Sequence, residues 1–359
     1  IAVKKLAEQY GSPLFVFSEK KIREKYREMY QAFSSKYPQV QVAWSYKTNY
    51  LDAVCRIFHN EGARAEVVSG FEYEKALANG LPGEKIIFNG PYKTDDELKK
   101  AVENQSLIHI DHFDELYSLM RIAENTNKKP QAAIRVNMDT GIYPKWDRFG
   151  FNYENGEAWT AVNRIMLSER IELVGLHTHI GTYIMSAEPY GTAAAKLANL
   201  AAEIDRKFNH KIKYIDMGGG FASDNTLKGA YLPGKDTTPS FDDYAEAVTT
   251  ALINSSIDPG SLPVLILETG RGLITNAGTI IASVAANKRL SDGRRAMVAD
   301  VGVNLLFTSF WYDFNVFPAR ETGSHTEDTS IYGPLCMNID VIRDAVQFPH
   351  LEKGELIVI

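Results

Sequence analysis

The sequence predicts an α/β fold, a (β/α)8 TIM barrel with a second, mostly antiparallel β domain. The first observation is a series of eight short β-rich runs, most of them leading into a stretch of helical periodicity. The runs are 41–47, 63–69, 85–90, 107–111, 131–137, 172–180, 212–220 and 264–271. The second is that 41–47 lacks the glycine-rich turn of a doubly wound sheet. Eight βα units in one series therefore favour a closed barrel.

The barrel elements follow a regular spacing. The first four runs begin about 22 residues apart, close to the minimum for a strand, a crossover helix and two loops. Helical periodicity predicts helices at 19–36, 71–79, 95–104, 114–125, 156–168, 190–208 and 242–252. After about residue 273 the sequence changes to strand patterns separated by turn residues. These patterns are 279–285, 295–301, 310–316 and 355–359.

The division into domains follows from these patterns. Residues 28–272 are expected to form the barrel. An isolated strand pattern at 13–17 is expected to pair with the C-terminal strands, so that 1–27 and 273–359 form one discontinuous β domain. The chain begins without Met and stops on an apolar run that ends at Ile359. We therefore expect the natural protein to be longer, with this domain truncated at its C-terminus.

Composition excludes several classes of function. With 45% hydrophobic and 23% charged residues, the chain has ordinary globular proportions. The net charge of −6 and the lack of a dense Lys and Arg cluster argue against nucleic acid as a partner. No apolar run approaches the roughly 20 residues that span a bilayer. Two cysteines, Cys55 and Cys336, cannot form a disulfide framework, so we expect a cytoplasmic protein.

Polar residues follow several predicted strands at the rim where barrel enzymes place their catalytic groups. Lys47 ends the first run, and a lysine amine in a low-dielectric barrel interior can lose its proton and attack a carbonyl. A structural salt bridge is the alternative. Gly218, Gly219 and Gly220 end the seventh run, where bare backbone lets N–H groups approach a phosphate. A tight turn without a ligand is the alternative for these glycines.

A reactive lysine together with a phosphate site indicates pyridoxal 5'-phosphate, which binds an amine through its aldehyde. Glu268 would face the ring nitrogen, and Arg271 would reach phosphate or a carboxylate, although either residue could belong to a rim ion pair. His177 and His179 share one face of a strand. No third ligand of suitable spacing accompanies them, so we predict no metal site and assign His179 to stacking on the cofactor ring.

These residues lie in motifs that resemble the fold-type III pyridoxal-phosphate decarboxylases, which have an alanine-racemase-like barrel. The likeness is greatest to the diaminopimelate decarboxylase branch and extends over nearly the whole chain. The motifs are Tyr-Lys-Thr-Asn at 46–49, Glu-Val-Val-Ser at 66–69, His-Ile-Gly-Thr at 179–182, Gly-Gly-Gly-Phe at 218–221, Glu-Thr-Gly-Arg at 268–271 and Gly-Pro-Leu-Cys at 333–336. The cofactor-binding residues that the resemblance implies are Lys47, Glu66, His179, Thr182, Gly218, Gly219, Gly220, Glu268, Gly270 and Arg271.

The resemblance also implies a homodimer with active sites shared between subunits. Cys336 would return a proton to the substrate, and Lys47 is the alternative donor. The substrate-binding residues that it implies are Arg271, Thr308, Tyr312, Met337 and Asp340. Two of these depart from the diaminopimelate pattern, because Thr308 replaces an arginine and Met337 replaces a glutamate. The family's late Gly-Ala-Tyr motif would follow Ile359.

The sequence thus predicts a pyridoxal-phosphate-dependent amino-acid α-decarboxylase, a carboxy-lyase of the kind used in lysine biosynthesis, acting on diaminopimelate or a related amino acid. Two alternatives stay open. A racemase of this fold would place an arginine at the ring nitrogen, where this chain has Glu268. A non-catalytic homologue that binds the cofactor is disfavoured by the presence of Lys47, Cys336 and Asp340.

Overall fold

A computed structural model describes residues 2–359, and residue 1 of the predicted β domain lies outside the described residues. The chain divides into two compact units. The barrel unit comprises Glu19–Ala222 and Pro239–Ile274. The β unit comprises the described residues through Ser18, together with Ser223–Thr238 and Thr275–Ile359. The sequence-based boundary between residues 27 and 28 falls inside the continuous helix Glu19–Ser34, which groups with the barrel unit.

Eight parallel strands form the barrel unit, as the sequence predicts. Barrel strands one to eight are Val40–Ser45, Arg64–Val67, Ile86–Phe88, Leu107–Ile110, Gln131–Asn137, Glu172–His177, Tyr214–Asp216 and Val264–Thr269. Each strand pairs in parallel with its neighbours. Strand eight pairs with strand one, and strand four pairs with strand five, so the ring is closed. A short strand, Phe151–Asn152, pairs with strand five outside the ring.

Helices connect the barrel strands and cover them. The α-helices of this unit are Glu19–Ser34, Asp52–Asn60, Gly70–Ala78, Asp95–Glu103, Phe113–Thr126, Glu157–Ser168, Glu188–Phe208, Phe241–Ile253 and Arg271–Ile274. Two 3-10 turns lie at Gly83–Lys85 and Pro259–Ser261. Thr94 and Ser240 begin their helices with reciprocal capping boxes, which satisfy N–H groups that the first turn leaves free. Among residues 2–359, no helix combines the length and apolar character that crossing a membrane requires.

Two layers of side chains fill the barrel, because residues two apart on a strand point to the same face. The lower layer is mostly apolar and consists of Ala43, Ile87, Leu107, Ala133, Val174, Tyr214 and Ile266. The next inward positions, toward the carboxyl ends of the strands, are all polar and buried. We call them the polar layer: Ser45, Glu66, Asn89, His109, Arg135, His177, Asp216 and Glu268. Each strand contributes one member, and burying these groups is costly unless they pair with one another.

The β unit is built on a mostly antiparallel sheet, as predicted. Its strands are Leu14–Phe17, Thr226–Leu227, Gly278–Arg289, Arg295–Ala299, Tyr312–Asp313, Phe317–Pro318, Glu327–Tyr332, Val341–Phe348 and Leu356–Val358. Its helices and 3-10 turns are Val3–Tyr10, Gly234–Thr237, Thr275–Ala277 and Phe307–Phe310. The isolated strand Leu14–Phe17 pairs antiparallel with Gly278–Arg289. One pair, Arg295–Ala299 with Glu327–Tyr332, is parallel.

The sequence-based prediction of a strand at 310–316 was largely wrong. The segment contains the end of the 3-10 turn Phe307–Phe310 and the two-residue strand Tyr312–Asp313. Its aromatic residues have a high β propensity, but Phe310 and Trp311 are exposed and pair with no strand. The sheet instead contains Glu327–Tyr332 and Val341–Phe348, which were not predicted because polar residues interrupt their apolar pattern.

Candidate active site

Lys47 lies two residues beyond the end of barrel strand one and pairs with Glu66 of strand two. The lysine Nζ is 2.8 and 2.9 Å from the two carboxylate oxygens of Glu66. The Ser45 hydroxyl donates to the same carboxylate. The Lys47 side chain is 48% exposed, whereas that of Glu66 is fully buried. The amine therefore lies at the open end of an ion pair and not in the dry interior that the sequence suggested.

Burial affects the two partners differently. It raises the pKa of Glu66, and the nearby ammonium of Lys47 opposes this shift. Because Glu66 is fixed by the Ser45 hydroxyl and by the barrel wall, it holds Lys47 in one position at the rim. The salt bridge that the sequence left as an alternative for Lys47 is thus present, and it leaves the amine accessible.

Glu268 lies one residue before the end of barrel strand eight, in the polar layer. The Asn89 amide donates to both of its carboxylate oxygens at 2.9 Å. The Nε2 atom of His177 is 3.2 Å from one oxygen, and the Nδ1 atom of His109 is 3.6 Å from the other. The Asn89 amide therefore fixes the carboxylate in a buried environment, and the two histidine nitrogens lie beside it without hydrogen-bond geometry.

His177 pairs with His109 and not with His179. The His109 and His177 rings stack with centroids 4.5 Å apart. One ring nitrogen of each histidine and a Glu268 oxygen lie within 4.8 Å of one another. Sequence reasoning found no third side chain beside His177 and His179, and it did not recognise this group of His109, His177 and Glu268. Burial lowers the pKa of both histidines well below the usual 6.5. Neutral imidazoles beside a carboxylate bonded to Asn89 fit a buried polar network.

The three glycines after strand seven are shaped by their contacts. Gly218 and Gly220 have φ of +64° and +92°, in the region that favours glycine. A Cβ atom on Gly219 would overlap the carbonyl oxygen of Glu268. The Gly219 N–H donates to His179 Nδ1 at 3.0 Å. That bond fixes the orientation of the His179 ring beside a segment that presents only backbone.

The remaining motif residues of the barrel unit lie near the same rim. Thr182 is exposed in the loop after strand six. A Cβ on Gly270 would overlap the Thr48 hydroxyl, so the end of strand eight packs directly on the segment that carries Lys47. Arg271 begins the helix Arg271–Ile274, with its guanidinium carbon 6.0 Å from the centre of the Tyr183 ring.

The other predicted site residues belong to the β unit. Cys336 is a free, exposed thiol, and the Met337 side chain beside it is also exposed. Thr308 is partly buried in the 3-10 turn Phe307–Phe310, and Tyr312 is buried. Asp340 is buried, and its two carboxylate oxygens accept the N–H groups of Val303 at 2.6 Å and Leu335 at 2.7 Å.

Sequence reasoning placed Asn89 at the rim of the barrel without giving it a role, and it missed His109 and Asp216 as parts of the site. All three occupy inward positions of the polar layer, and the alternation of residues along each strand was a signal that could have identified them. Their contacts were not predictable, because barrel closure decides which strands meet. Arg135 was likewise predicted at the rim without a role, and its guanidinium is 3.7 Å from Asp111 and 4.4 Å from the Phe149 ring centre.

The chemistry of these groups fits pyridoxal 5'-phosphate. Lys47 offers an accessible primary amine at the rim, and Gly218, Gly219 and Gly220 offer backbone without side chains. Glu268 offers a carboxylate, buried and fixed, of the kind that pairs with a protonated ring nitrogen. The amine suits the aldehyde of the cofactor, the glycine backbone suits its phosphate, and the carboxylate suits its ring nitrogen.

We expect Gly219→Ala to weaken both the fold and cofactor binding. The added methyl must displace the Glu268 backbone, and such overpacking typically costs about 1–3 kcal/mol. Urea unfolding and titration with pyridoxal 5'-phosphate measure the two effects. Gly260→Ala is the matched control, because a Cβ there meets nothing nearer than 3.5 Å. Equal stability and cofactor affinity in the two variants would contradict the expectation.

Comparisons with known proteins agree with this chemistry. The model of the pyridoxal binding domain of pyridoxal-dependent decarboxylases matches residues 19–275. Diaminopimelate decarboxylase from Bacillus subtilis is 28% identical over 99% of this chain and 82% of its own length. The enzyme of that name from Aquifex aeolicus is 29% identical over 100% of this chain and 83% of its own length.

Solved structures show the same relationship. The crystal structure of diaminopimelate decarboxylase from M. jannaschii has a TM-score of 0.89 and 27% identity, covering 99% of this chain and 82% of its own. Lysine/ornithine decarboxylase from Vibrio vulnificus has a TM-score of 0.82 at 20% identity, with 99% and 90% covered, and is similar in fold.

The family match extends over most of the chain, and the cofactor requirements are met by residues within it. The predictions of the fold class, the cofactor and the reaction class are therefore confirmed. The protein is a pyridoxal-phosphate-dependent amino-acid decarboxylase, a carboxy-lyase that resembles diaminopimelate decarboxylase. The chain belongs to the pyridoxal-dependent decarboxylase family.

Proposed function

We propose that this protein decarboxylates diaminopimelate or a related amino acid at Cα, with Lys47, Glu268 and Cys336 as its principal chemical groups. The observation that carries the proposal is the fixed arrangement at the barrel rim. Glu66 holds the Lys47 amine at 2.8 Å, and the Asn89 amide holds the Glu268 carboxylate, with His109 and His177 beside it. Preorganised groups of this kind lower a barrier without reorganising during the reaction.

The division of labour among these residues follows from their contacts. Bound pyridoxal phosphate supplies an electron sink for the bond to the departing carboxylate. Lys47 would bind the cofactor through its amine, which Glu66 orients at 2.8 Å. Glu268 holds a proton at the ring nitrogen. His179, fixed through its Nδ1 by the Gly219 N–H, presents its ring as a stacking surface.

Fewer backbone N–H groups are available for phosphate than the three glycines suggest. The Gly218 N–H donates to Asp216 Oδ1 at 2.8 Å, and the Gly219 N–H donates to His179. We therefore assign phosphate binding to N–H groups from Gly220 onward, with the bare backbone of the triplet providing close approach. Thr182 and Arg271 are candidates for the remaining donors, since hydroxyl and guanidinium groups suit phosphate.

A homodimer is proposed for the working enzyme. Large apolar side chains of the β unit are exposed, and such a surface on one subunit is typical of an interface. They are Phe307 (65% exposed), Met337 (55%), Phe310 (53%), Ile339 (50%) and Trp311 (47%). In this arrangement Cys336 of each subunit would return a proton to Cα in its partner's active site.

Two free cysteines also suit the cytoplasm, which we propose as the compartment.

Asp340 has a role distinct from substrate contact in this proposal. Its carboxylate accepts the N–H groups of Val303 and Leu335 and therefore ties down the segment that carries Cys336. A Cβ on either Gly302 or Gly333 would overlap this carboxylate, so it packs directly on the backbone of both glycines. We assign Asp340 as a positioning residue for Cys336.

The substrate is tested by CO2 release from a panel of amino acids. Because Thr308 and Met337 are uncharged, we expect lysine, ornithine or another amino acid without a distal ammonium–carboxylate pair to exceed diaminopimelate in kcat/KM. The paired change Thr308→Arg and Met337→Glu should raise kcat/KM for diaminopimelate by at least tenfold, since each hydrogen bond to a charged group contributes about 1.5–3 kcal/mol. Thr326→Arg with Asn338→Glu is the control for added charge. Diaminopimelate as the best substrate of the unaltered enzyme would refute the argument.

A further inference from the structure

Asp216, a member of the polar layer on barrel strand seven, has one unsatisfied carboxyl oxygen. The residue is fully buried. Its Oδ1 accepts the Gly218 N–H at 2.8 Å. Among residues 2–359, no donor is within hydrogen-bond geometry of Oδ2, and the nearest basic nitrogen is His109 Nε2 at 3.9 Å. An ionised oxygen in this position would lack the partners that buried charges require.

The partners of the carboxyl groups in the polar layer also single out Asp216 as the group without a compensating contact. Three carboxyl groups lie in the layer. Glu66 is neutralised by Lys47, and Glu268 accepts two hydrogen bonds from Asn89. Asp216 has neither a cation nor an amide on Oδ2, and its carboxyl group interacts electrostatically with that of Glu268. Two neighbouring carboxyl groups that cannot both ionise commonly share one proton.

We propose that Asp216 carries a proton at neutral pH and donates it from Oδ2 to Glu268, so that Glu268 keeps the single negative charge of this carboxyl pair. Protonation turns the unsatisfied acceptor into a donor and leaves one negative charge directed at the cofactor's ring nitrogen. This last consequence rests on the role proposed for Glu268, whereas the proton on Asp216 does not. Asp216 is then a positioning residue.

The surroundings of Asp216 support this assignment. Burial is the main cause that raises the pKa of Asp216 well above its usual value, the negative charge of Glu268 adds to it, and the Gly218 N–H opposes it. The titratable groups that face Asp216 from the neighbouring strands are Arg64, Glu66, His109, His177, Tyr214 and Glu268. Both histidines have lowered pKa values, so neither supplies a positive charge, and the one cation of this set, Arg64, donates to the Glu84 carbonyl.

A direct test is infrared difference spectroscopy of the purified holoenzyme and the Asp216→Asn variant at pH 7. The wild-type spectrum should contain the C=O stretch of a protonated, buried carboxylic acid that the variant lacks. Asparagine can make the same two contacts, accepting from Gly218 and donating to Glu268, so the variant should fold. The same band should remain in Glu268→Gln, because a protonated Asp216 can donate to the amide oxygen. A wild type without this band would overturn the proposal.

Unfolding measured against pH gives an independent test with a defined sign. The folded state keeps the Asp216 proton, whereas the unfolded state loses it above a pKa of about 3.9. Unfolding therefore releases a proton, and rising pH destabilises the wild type relative to Asp216→Asn. The ratio of the two unfolding constants should grow by up to about tenfold per pH unit from pH 5 upward, until the pKa of folded Asp216 is passed.

Asp258→Asn is the matched control, because Asp258 also accepts the N–H two residues on, at 3.0 Å, but lies at the surface. The pKa of Asp258 is lowered by the Gly260 N–H, so its stability ratio should not grow in this direction. A constant ratio for Asp216→Asn between pH 5 and 8, or a variant less stable than wild type throughout, would overturn the proposal. Loss of the cofactor absorbance in Glu268→Gln alone would bear on the proposed function and leave the Asp216 proton intact.

Discussion

Replacing Lys47 with alanine is expected to abolish both the visible absorbance of the bound cofactor and the release of CO2. Lys47 is the accessible amine at the rim of the barrel, and its Nζ is held 2.8 Å from Glu66. Its removal deletes the covalent attachment and a proton-transfer group at once. The loss of CO2 release should equal or exceed the roughly 10²–10⁴-fold that one positioned proton-transfer group contributes.

The measurement has a matched control and a chemical check. Lys36→Ala removes a lysine that also pairs with a single glutamate, Glu246 at 2.7 Å, and should leave colour and CO2 release intact. Borohydride reduction of the wild type followed by peptide mass spectrometry should find the cofactor attached to the peptide that contains Lys47. A yellow, active Lys47→Ala enzyme, or attachment at another lysine, would refute the assignment.

Glu268→Gln is expected to retain the fold and lose most of the catalytic rate. The glutamine can still accept the Asn89 N–H, but it cannot hold a positive charge at the ring nitrogen. Removing one preorganised electrostatic partner typically lowers kcat about 10²–10³-fold. The cofactor absorbance should shift as well, because the ring nitrogen loses its anionic partner.

Kinetics and absorbance spectra of Glu268→Gln are compared with those of Glu172→Gln. Glu172 begins barrel strand six at the opposite end of the barrel and pairs with Lys213, so its substitution should change neither measurement. Deuterium incorporation into recovered substrate without CO2 release would instead indicate racemisation in the wild type. A wild-type rate in Glu268→Gln would contradict the role of this carboxylate.

The barrel was predictable because its signal is local. Each strand is a short apolar run with an inward polar residue near its end, and both features repeat with the period of a strand. The helix Asp52–Asn60 was not among those predicted from the sequence. It is amphipathic and buries Val54, Cys55 and Phe58. Its N-cap, Leu51, has no capping side chain, whereas the equally short helices Gly70–Ala78 and Asp95–Glu103 begin after Ser69 and Thr94.

The contacts within the site were less predictable, because they depend on which strands barrel closure brings together. Glu268 and His177 were recognised individually, but the meeting of His109 with both of them joins strands four, six and eight. The exposure of Lys47 likewise depends on how far it projects beyond strand one. The roles of Cys336 and Asp340 came from the resemblance alone, since nothing in their spacing indicates them.

The segment that carries Cys336 contains buried residues that hold it in place and exposed residues that do not. The Asp340 carboxylate fixes the segment by accepting the N–H groups of Val303 and Leu335. A side chain on Gly302 or Gly333 would overlap that carboxylate. Met337 and Ile339, in contrast, point into solvent within one subunit. The residues that hold the segment and the residues exposed on it are therefore different residues. A substitution at Met337 or Ile339 can change the surface that the segment presents while the contacts of Asp340 stay intact.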